Sequence, residues 1–347
     1  MGRISRFYTM PHPPIVIPEI GKGEEEEIWQ TQNAFYKVAE QVADIKPDTI
    51  IIITPHGPMF SNAIAISAGE SIYGDMRRFG ARNVQLDLQI DMPLVEKIEE
   101  YSMGDKIPVA KITEKDTDRY NVKYELDHGT LVPLYFISEK FSDYKIVHIT
   151  YGMLSGIQLY RFGMNIRRAV EESDTNAVFI ASGDLSHKLD LEGPYGHSPY
   201  GEEFDREIVS LLEAGDVLGV FNIDPFTVEE AQECGLRSYH IMLGAMDGYD
   251  IKGNLLSYQG NFGVGYSVME FDLEKADEGI YNLLLENEKN KIKSRLEDSD
   301  PRVRLACESL TNYLINEEYI DIPPYVTDEM RETKRGVFVT LKREGVL

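Results

Sequence analysis

Histidines in turn-like segments are the residues of this chain best suited to chemistry. Five of the seven histidines lie in segments rich in proline, glycine or aspartate. Proline beside a histidine keeps the backbone extended and removes an amide donor, which restricts the direction of the imidazole. Neutral imidazole is a ligand for iron, zinc and copper, so two His–Pro and two Asp–His segments together predict a metal site. The five segments are MPHPP with His12, TPHGP with His56, DHGT with His128, SGDLSH with His187 and GPYGHSP with His197.

Predicted strands place two of these histidines at one edge of a sheet. Continuous apolar, β-branched runs are typical of parallel strands that are covered on both faces, and three such runs occur at 49–54, 146–150 and 177–181. His56 follows the first run and His187 follows the third. The carboxyl ends of parallel strands line the ligand crevice of open α/β sheets. His148 lies inside the second run and His240 on a predicted helix, so we expect structural roles for both.

Helical patterns alternate with these strands and predict the fold class. Apolar residues recur at helical spacing in 28–45, 157–170 and 204–212, and TVEE at 227–230 has the spacing of a capping box that would open a further helix. This alternation predicts a three-layer α/β/α sandwich with a mainly parallel sheet.

A change of composition near residue 273 predicts the domain organisation. We expect a main domain at 1–273, a charged linking helix at 274–300 and a truncated C-terminal α/β segment at 301–347. Within that segment, Pro301 to Asn316 is predicted to be a short helix and Gly336 to Leu341 a strand. The chain is expected to end inside this second unit.

Charge and cysteine content exclude several classes of protein. The chain has 35 Lys and Arg against 59 Asp and Glu, a formal charge of −24, which would repel nucleic acids and anionic membranes. No apolar stretch approaches the length of about 18 residues that a transmembrane helix needs. Cys234 and Cys307 are the two cysteines, too few for a disulfide framework, so a cytoplasmic protein with reduced thiols is expected.

Other catalytic motifs are absent from the sequence. There is no Gly-x-Ser-x-Gly for a serine hydrolase, no phosphate-binding Gly-x-x-x-x-Gly-Lys-Ser/Thr and no HExxH. The glycines of Gly260 to Gly265 are predicted to form a turn between late strands. Five tyrosines near the histidine segments are expected mainly to serve packing, although they could line an aromatic pocket; these are Tyr120, Tyr124, Tyr135, Tyr151 and Tyr195.

The order of the motifs carries a family resemblance. MPHPP (10–14), TPHGP (54–58), DHGTLVPL (127–134), SGDLSH (182–187) and ECG (233–235) resemble, in this order, the motifs of class III extradiol ring-cleavage dioxygenases. They are still more similar to the LigB-like, Memo-related modules of the AmmeMemoRadiSam system. The resemblance covers about residues 4 to 273. The tail from Pro301 to Leu341 resembles the opening of an AMMECR-type domain, which implies a radical-SAM protein as partner.

The resemblance also implies roles for individual residues. His12 and His56 match the metal-binding histidines, His187 the acid/base and His128 a second active-site histidine, with Asp127 and Asp184 in support. Ring-cleaving members supply a carboxylate as third ligand, which would suit iron(II), whereas Memo-like proteins present a cysteine before glycine, which would suit zinc or copper(I). We favour Cys234 over Glu233, and we expect only one to reach the ion because adjacent helical side chains diverge by about 100°.

Three functions remain open from the sequence. The leading hypothesis is a metal-dependent oxidoreductase that opens the ring of a catecholic small molecule with dioxygen at non-haem iron. The alternative is a Memo-like metal-binding protein without ring cleavage, and the third is a non-catalytic interaction module. The sequence leaves the metal, the substrate and homo-oligomerisation undetermined.

Overall fold

The structure, a computed structural model, describes residues 1–193, 195–316 and 320–332. It divides into two compact units, Met1–Ile280 and Tyr281–Leu347. The strands are β1 (Arg3–Met10), β2 (Thr49–Thr54), β3 (Ile64–Ser67), β4 (Ser71–Met76), β5 (Ala81–Gln89), β6 (Val109–Ile112), β7 (Lys145–Thr150), β8 (Asn176–Ser182), β9 (Tyr249–Gln259) and β10 (Tyr266–Lys275). The α-helices are α1 (Pro18–Gly21), α2 (Trp29–Ile45), α3 (Met92–Gly104), α4 (Thr117–Tyr120), α5 (His128–Lys140), α6 (Gly156–Glu171), α7 (Pro199–Ala214), α8 (Val217–Asn222), α9 (Pro225–Ala231), α10 (Leu236–Ala245), α11 (Tyr281–Glu297), α12 (Pro301–Asn316) and α13 (Asp328–Glu332).

A mixed eight-stranded sheet forms the centre of the first unit. Its order is β6-β3-β7-β2-β8-β1-β10-β9, and the four central strands β7, β2, β8 and β1 run parallel to one another. Strands β10 and β9 continue the sheet in antiparallel fashion on one side. On the other side β3 is antiparallel to β7 and parallel to β6. The three apolar runs identified in the sequence are parallel strands of one sheet, as predicted, and the structure makes them neighbours at its centre.

Helices cover both faces of this sheet. Helices α2 and α5 pack together on one face, with Phe35 and Val38 of α2 fully buried, whereas α3, α6 and α10 pack on the other. Helices α6 and α10 approach closely because Gly163 and Gly244 face the partner backbone. A Cβ atom at either glycine would lie 1.9 Å from a carbonyl oxygen of the opposite helix. The predicted three-layer α/β/α sandwich is confirmed.

One local prediction, the start of helix α9, was wrong. Helix α9 begins at Pro225 and not after Thr227, because the Asp224 side chain accepts a hydrogen bond from the Phe226 amide at 3.1 Å and proline suits the first helical turn. Thr227 is buried inside the helix.

The second unit contains helices where the sequence pattern placed them. Helix α11 lies within the segment 274–300 predicted to be a linking helix, and α12 has the predicted bounds Pro301–Asn316. The strand predicted for Gly336 to Leu341 lies outside the described residues. Within the described part of the chain, every helix is too short or too polar to span a bilayer.

Candidate metal centre

The site residues meet at the carboxyl ends of adjacent parallel strands. His12 lies two residues after β1, His56 two residues after β2 and Asp184 two residues after β8. Because β2, β8 and β1 are neighbours in the sheet, these three residues share one edge. His128 is the first residue of α5, and Cys234 lies in the turn between α9 and α10. This edge is where open α/β sheets bind ligands.

His12 is held in one orientation and one tautomer. The side chain is 2% exposed, and its backbone N–H donates to Asp184 Oδ1 at 2.8 Å. Its Nδ1 lies 2.9 Å from the hydroxyl oxygen of Ser182, and that hydroxyl donates its proton to the Gly129 carbonyl at 2.5 Å. Ser182 can therefore only accept from His12, which places the His12 proton on Nδ1. The lone pair of His12 is on Nε2.

The Nε2 of His12 faces two further imidazoles. It lies 2.9 Å from Nε2 of His56. Two nitrogens bound to one ion at about 2.1 Å lie about 3 Å apart when their bonds make an angle of about 90°. The rings of His56 and His128 stack with centroids 4.2 Å apart, and one ring nitrogen from each of His12, His56 and His128 fits within 4.8 Å of the others. This spacing is suitable for a bound cation.

Cys234 and Asp184 also lie close to Nε2 of His12. The Cys234 sulfur lies 3.7 Å from His12 Nε2, and Asp184 Oδ2 lies 3.8 Å from that atom. The Asp184 amide donates to the Cys234 sulfur at 3.2 Å, which fixes the relative position of the two side chains. His12, Asp184 and Cys234 form a second group whose ligand atoms lie within 4.8 Å of one another.

Glu233 is directed away from this cluster. Its carboxylate accepts a hydrogen bond from the Leu236 amide at 2.6 Å, at the amino terminus of α10. Glu233 and Cys234 lie in a turn, so the helical geometry from which we expected their divergence was wrong, although the two side chains do diverge. The structure places Cys234, and not Glu233, in a candidate ligand group with His12, whereas His56 belongs to the other group.

The electrostatics keep the imidazoles neutral. Burial and the charge of His56 hold the pKa of His12 well below its usual range. Burial and the nearby charge of His128 lower the pKa of His56 to about 4, and burial together with His12 lowers that of His128 to about 4. Burial and the charges of Asp184 and Glu233 raise the pKa of the Cys234 thiol well above its usual range. The site therefore presents neutral nitrogen donors and a thiol, a donor set that fits a divalent metal.

His187 lies at the edge of the cluster and belongs to neither ligand group. Its Nδ1 donates to the carbonyl of Gln232, and its backbone N–H donates to the carbonyl of Ala231 at 2.9 Å. Its Nε2 lies 4.0 Å from Asp184 Oδ2. The ring of Tyr195 lies beside it with centroids 5.1 Å apart. The free nitrogen of His187 is therefore Nε2, on the side of Asp184.

Asp127 lies behind His56 and His128. Its carboxylate accepts from the Thr54 hydroxyl at 2.6 Å and lies 3.2 Å from Nε2 of His148. Burial raises the pKa of Asp127, but the hydrogen bond and charge of His148 and the hydrogen bond from Thr54 outweigh it, so the pKa lies below its usual range.

Three contributions were missed or understated by sequence reasoning. Asp184, expected only in support, lies as close to His12 Nε2 as the cysteine does. Ser182, which selects the His12 tautomer, occurs in the SGDLSH motif but was not singled out. His148 was assigned a structural role, and its contact with Asp127 could not be read from a buried strand pattern.

His240 stacks on Phe221, as a structural residue would, and the exposed His197 pairs with Leu189 in an isolated bridge.

A cavity of about 780 Å³ opens beside His56 and His128. Its outer wall is the β4–β5 hairpin, where Phe79 lies with its ring centroid 5.3 Å from that of His128. Arg78, Asn121 and Lys123 also line it. The five tyrosines do not appear among its lining residues. Tyr124 and Tyr135 bond to Ser71 and Glu19, and Tyr151 donates to the Cys234 carbonyl at 3.1 Å.

Comparison with known proteins identifies related sequences. The family model described as the catalytic LigB subunit of aromatic ring-opening dioxygenase matches residues 6–269. Protein CA_C1420 of Clostridium acetobutylicum is 50% identical over 345 residues, which cover 99% of this chain and 74% of that protein. The 2-aminophenol 1,6-dioxygenase beta subunit of a Pseudomonas species is 23% identical over 79% of this chain and 96% of its own length.

The chain is more distantly similar to a MEMO1 family protein and to a solved structure of the same fold. A MEMO1 family protein of Methanococcoides burtonii is 27% identical over 40% of this chain and 54% of that protein. The crystal structure of an uncharacterized Escherichia coli K12 protein superposes with a TM-score of 0.53 at 14% identity, covering 76% of this chain and 98% of the other. This last similarity supports the α/β/α fold alone.

Proposed function

The chain belongs to the family of catalytic LigB subunits of aromatic ring-opening dioxygenases, and from this we propose that it opens the ring of a small aromatic diol with dioxygen. It is a dioxygenase-like oxidoreductase by family. The observation that carries the proposal is the 2.9 Å approach of the two Nε2 atoms of His12 and His56 beside a cavity of about 780 Å³. A relative named for the oxidation of 2-aminophenol supports an aromatic substrate.

His12, His56 and one group from the Cys234–Asp184 side are the residues that would hold the metal. The donor chemistry fits, because His12 Nε2 lies 2.9 Å from His56 Nε2 and 3.7 Å from the Cys234 sulfur, while His12 Nδ1 is already committed to Ser182. A divalent metal bound there would supply a Lewis acid for the diol and dioxygen.

His187 is proposed to move the substrate proton. Because Nδ1 donates to the Gln232 carbonyl, Nε2 is the nitrogen that can accept a proton from the diol. The backbone bond to Ala231 fixes the main chain of His187, and the Nδ1 bond to Gln232 orients its ring. Asp184 Oδ2 lies 4.0 Å from this nitrogen.

His128 and Phe79 are proposed to orient the ring of the substrate. His128 is stacked on His56 at the cavity wall, where its imidazole can hydrogen-bond a substrate hydroxyl. Phe79 is 40% exposed beside it, and an aromatic substrate would cover this surface. Together they would present the diol edge of the ring to the metal ligands.

A second function is favoured by one observation, the position of the Cys234 sulfur 3.7 Å from His12 Nε2. A thiolate ligand suits zinc or copper(I) better than iron(II). In this alternative the chain is a Memo-like metal-binding protein without ring cleavage, and residues 301–347 belong to an AMMECR-type domain that acts with a radical-SAM partner. The similarity to MEMO1 family proteins supports it.

Metal content and oxygen uptake distinguish the two functions. The protein is purified without oxygen or chelators, its metal is identified, and uptake of dioxygen is followed with catechol and 2-aminophenol after loading with iron(II) or zinc. Ring cleavage predicts one dioxygen consumed per substrate by the iron-loaded protein, lost in His12→Ala and kept in His197→Ala, since His197 is exposed and outside the cluster. Tight retention of zinc or copper with no oxygen uptake under any loading supports the Memo-like function.

A further inference from the structure

A buried histidine–aspartate pair lies behind the metal centre. His148, in the middle of strand β7, is 1% exposed. Its Nδ1 lies 2.8 Å from the Ser67 hydroxyl of β3, and its Nε2 lies 3.2 Å from Asp127 Oδ2. Since the Asp127 carboxylate can only accept, Nε2 of His148 is the donor in this hydrogen bond. The pair connects the centre of the sheet to the segment that precedes α5.

The same carboxylate contacts both segments that carry the stacked imidazoles. Asp127 immediately precedes His128, and its carbonyl accepts from the Thr130 and Leu131 amides in the first turn of α5. Its Oδ1 accepts from the Thr54 hydroxyl at 2.6 Å, and the Thr54 oxygen lies 3.3 Å from the His56 amide nitrogen, from which it accepts. One carboxylate thus ties the loop of His56 to the helix of His128.

The packing around the Asp127 carboxylate leaves it little room to move. A Cβ atom at Gly129 would lie 2.5 Å from the Thr54 hydroxyl and 2.8 Å from Asp127 Oδ1. A Cβ atom at Gly57 would lie 2.1 Å from the Thr150 hydroxyl, on the other side of the His56 loop. The backbone at Gly57 and Gly129 therefore lies too close to its neighbours to leave space for a Cβ atom. A shift of Asp127 would for this reason move the His56 and His128 segments with it.

We propose that His148 is a positioning residue of the metal centre, which acts through Asp127 and Thr54 to hold the imidazoles of His56 and His128 in their stacked arrangement. This inference rests on the metal centre proposed above. A polar side chain in a parallel strand covered on both faces costs stability unless it is hydrogen-bonded, and the neighbours Ile146, Val147 and Ile149 are all apolar. The hydrogen bonds of His148 hold a carboxylate at the site, which an apolar residue there could not do.

Zinc affinity measured by calorimetry on the full chain tests this role. His148→Phe fills the space but removes the donor, whereas His148→Gln retains an amide donor. Loss of groups that orient metal ligands weakens metal binding by about 10- to 100-fold, so we expect that loss in His148→Phe and recovery of most of it in His148→Gln. The control is Ile52→Ala, which removes a core side chain at the register partner of His148 on β2 without touching Asp127. It should lower thermal stability and leave zinc affinity within about twofold.

The visible spectrum of bound cobalt(II) supplies a readout that lost stability alone does not move. Its bands should shift in His148→Phe and stay in place in Ile52→Ala. Unchanged affinity and spectrum in His148→Phe overturn the proposal, as does an equal loss of affinity in Ile52→Ala. If His148→Phe does not fold, zinc binding is measured in Thr54→Val instead. This variant keeps the shape of Thr54 and removes the hydroxyl that donates to Asp127. Unchanged zinc binding in Thr54→Val then overturns the role.

The experiments distinguish failure of the positioning role of His148 from failure of the proposed ring-cleavage function. Normal zinc binding without turnover of diols removes ring cleavage and leaves the positioning role in place. Absence of zinc and cobalt binding by the wild-type chain overturns the positioning role together with the metal centre.

Discussion

The Nδ1 atom of His12 lies 2.9 Å from the hydroxyl oxygen of Ser182, 170 positions away in the chain. Because that hydroxyl already donates to the Gly129 carbonyl, it accepts the proton of His12 and leaves Nε2 unprotonated. A hydroxyl at the end of β8 thus selects the ligand atom of a histidine at the end of β1. This relationship makes His12 the fixed member of both candidate ligand groups.

Removal of the Ser182 hydroxyl should weaken metal binding without removing a ligand. In Ser182→Ala the His12 ring can place its proton on either nitrogen, so we expect zinc affinity to fall by about tenfold. The matched control is Ser238→Ala, since Ser238 is a buried serine of α10 whose hydroxyl has no hydrogen-bond partner within the described residues. Equal zinc affinity in Ser182→Ala and wild type, measured by calorimetry, contradicts the tautomer assignment.

Loss of either converging histidine should abolish the site. We expect His12→Ala and His56→Ala to purify without bound metal while their circular dichroism stays that of the wild type, because each removes a ligand nitrogen and no backbone contact. Elemental analysis of the purified protein measures this. His197→Ala, a change at an exposed histidine outside the cluster, should keep its metal. Full metal occupancy in both cluster variants rules out these ligands.

The choice between Cys234 and Glu233 can be made from protons released on binding. The Cys234 thiol has a pKa well above its usual range, so it is protonated near neutral pH and must lose its proton to bind a metal. The pKa values of His56 and His128 are lowered to about 4, and burial raises the pKa of Glu233 to about 7, so above about pH 8 none of these three groups releases a proton on binding. Zinc affinity should therefore rise with pH, by about tenfold per unit for one released proton.

Two variants complete this measurement. Cys234→Ser should lose the pH dependence together with most of the zinc affinity, since a serine hydroxyl is a poor ligand in place of a thiolate. Glu233→Gln should keep both, because the Glu233 carboxylate is engaged by the Leu236 amide. The reverse pattern, with affinity lost in Glu233→Gln and retained in Cys234→Ser, makes the carboxylate the third ligand.

His187 should be needed for turnover and not for metal. Its Nδ1 is bonded to the Gln232 carbonyl and it lies in neither ligand group, so His187→Ala should retain the metal of the wild type. If the protein opens diols, we expect kcat to fall by about 10² to 10⁴-fold, the usual contribution of general acid–base catalysis. Oxygen uptake at saturating diol measures kcat. A variant that loses its metal, or keeps its full rate, shows that His187 has another role.

Arg78 should favour substrates that carry a negative charge. Its guanidinium lines the cavity and is close enough to contribute to the lowered pKa of His128, and its partner Glu125 is half-exposed. We expect Arg78→Ala to raise KM about tenfold for 3,4-dihydroxybenzoate and to change KM for catechol little. Arg77→Ala is the control, because Arg77 lines the same cavity but is paired with Asp75 through 2.8 Å contacts from its Nε. Equal changes for both substrates exclude charge recognition by Arg78.

Much of the scaffold could be predicted because its determinants are local. The continuous apolar run of β2 is buried at every position, and its predicted bounds, Thr49–Thr54, are those observed. Strand β7 differs from its predicted bounds by one residue at its start, and β8 by one residue at each end. Helix α9 was misplaced because two overlapping start signals lie within four residues, and the Asp224–Pro225 pair prevailed over Thr227.

The sequence by itself determined which histidines could meet. His56 and His187 follow predicted strands whose apolar runs require a place inside a parallel sheet, and parallel neighbours end at the same edge, whereas strand β1, which precedes His12, was not predicted. The order of the motifs along the chain was also sufficient for the family, as the match over residues 6–269 confirms. These properties depend on residue type and on short segments, which a sequence displays directly.

Only the tertiary structure decided which atoms face one another. The turn between α9 and α10 directs the Cys234 sulfur towards His12 and the Glu233 carboxylate towards the Leu236 amide, although the two residues are adjacent. Similarly, Ser67 reaches His148 because β3 lies beside β7, a pairing between strands distant in the chain. Hydrogen bonds act over about 3 Å, so their partners depend on how distant segments pack, which no local pattern encodes.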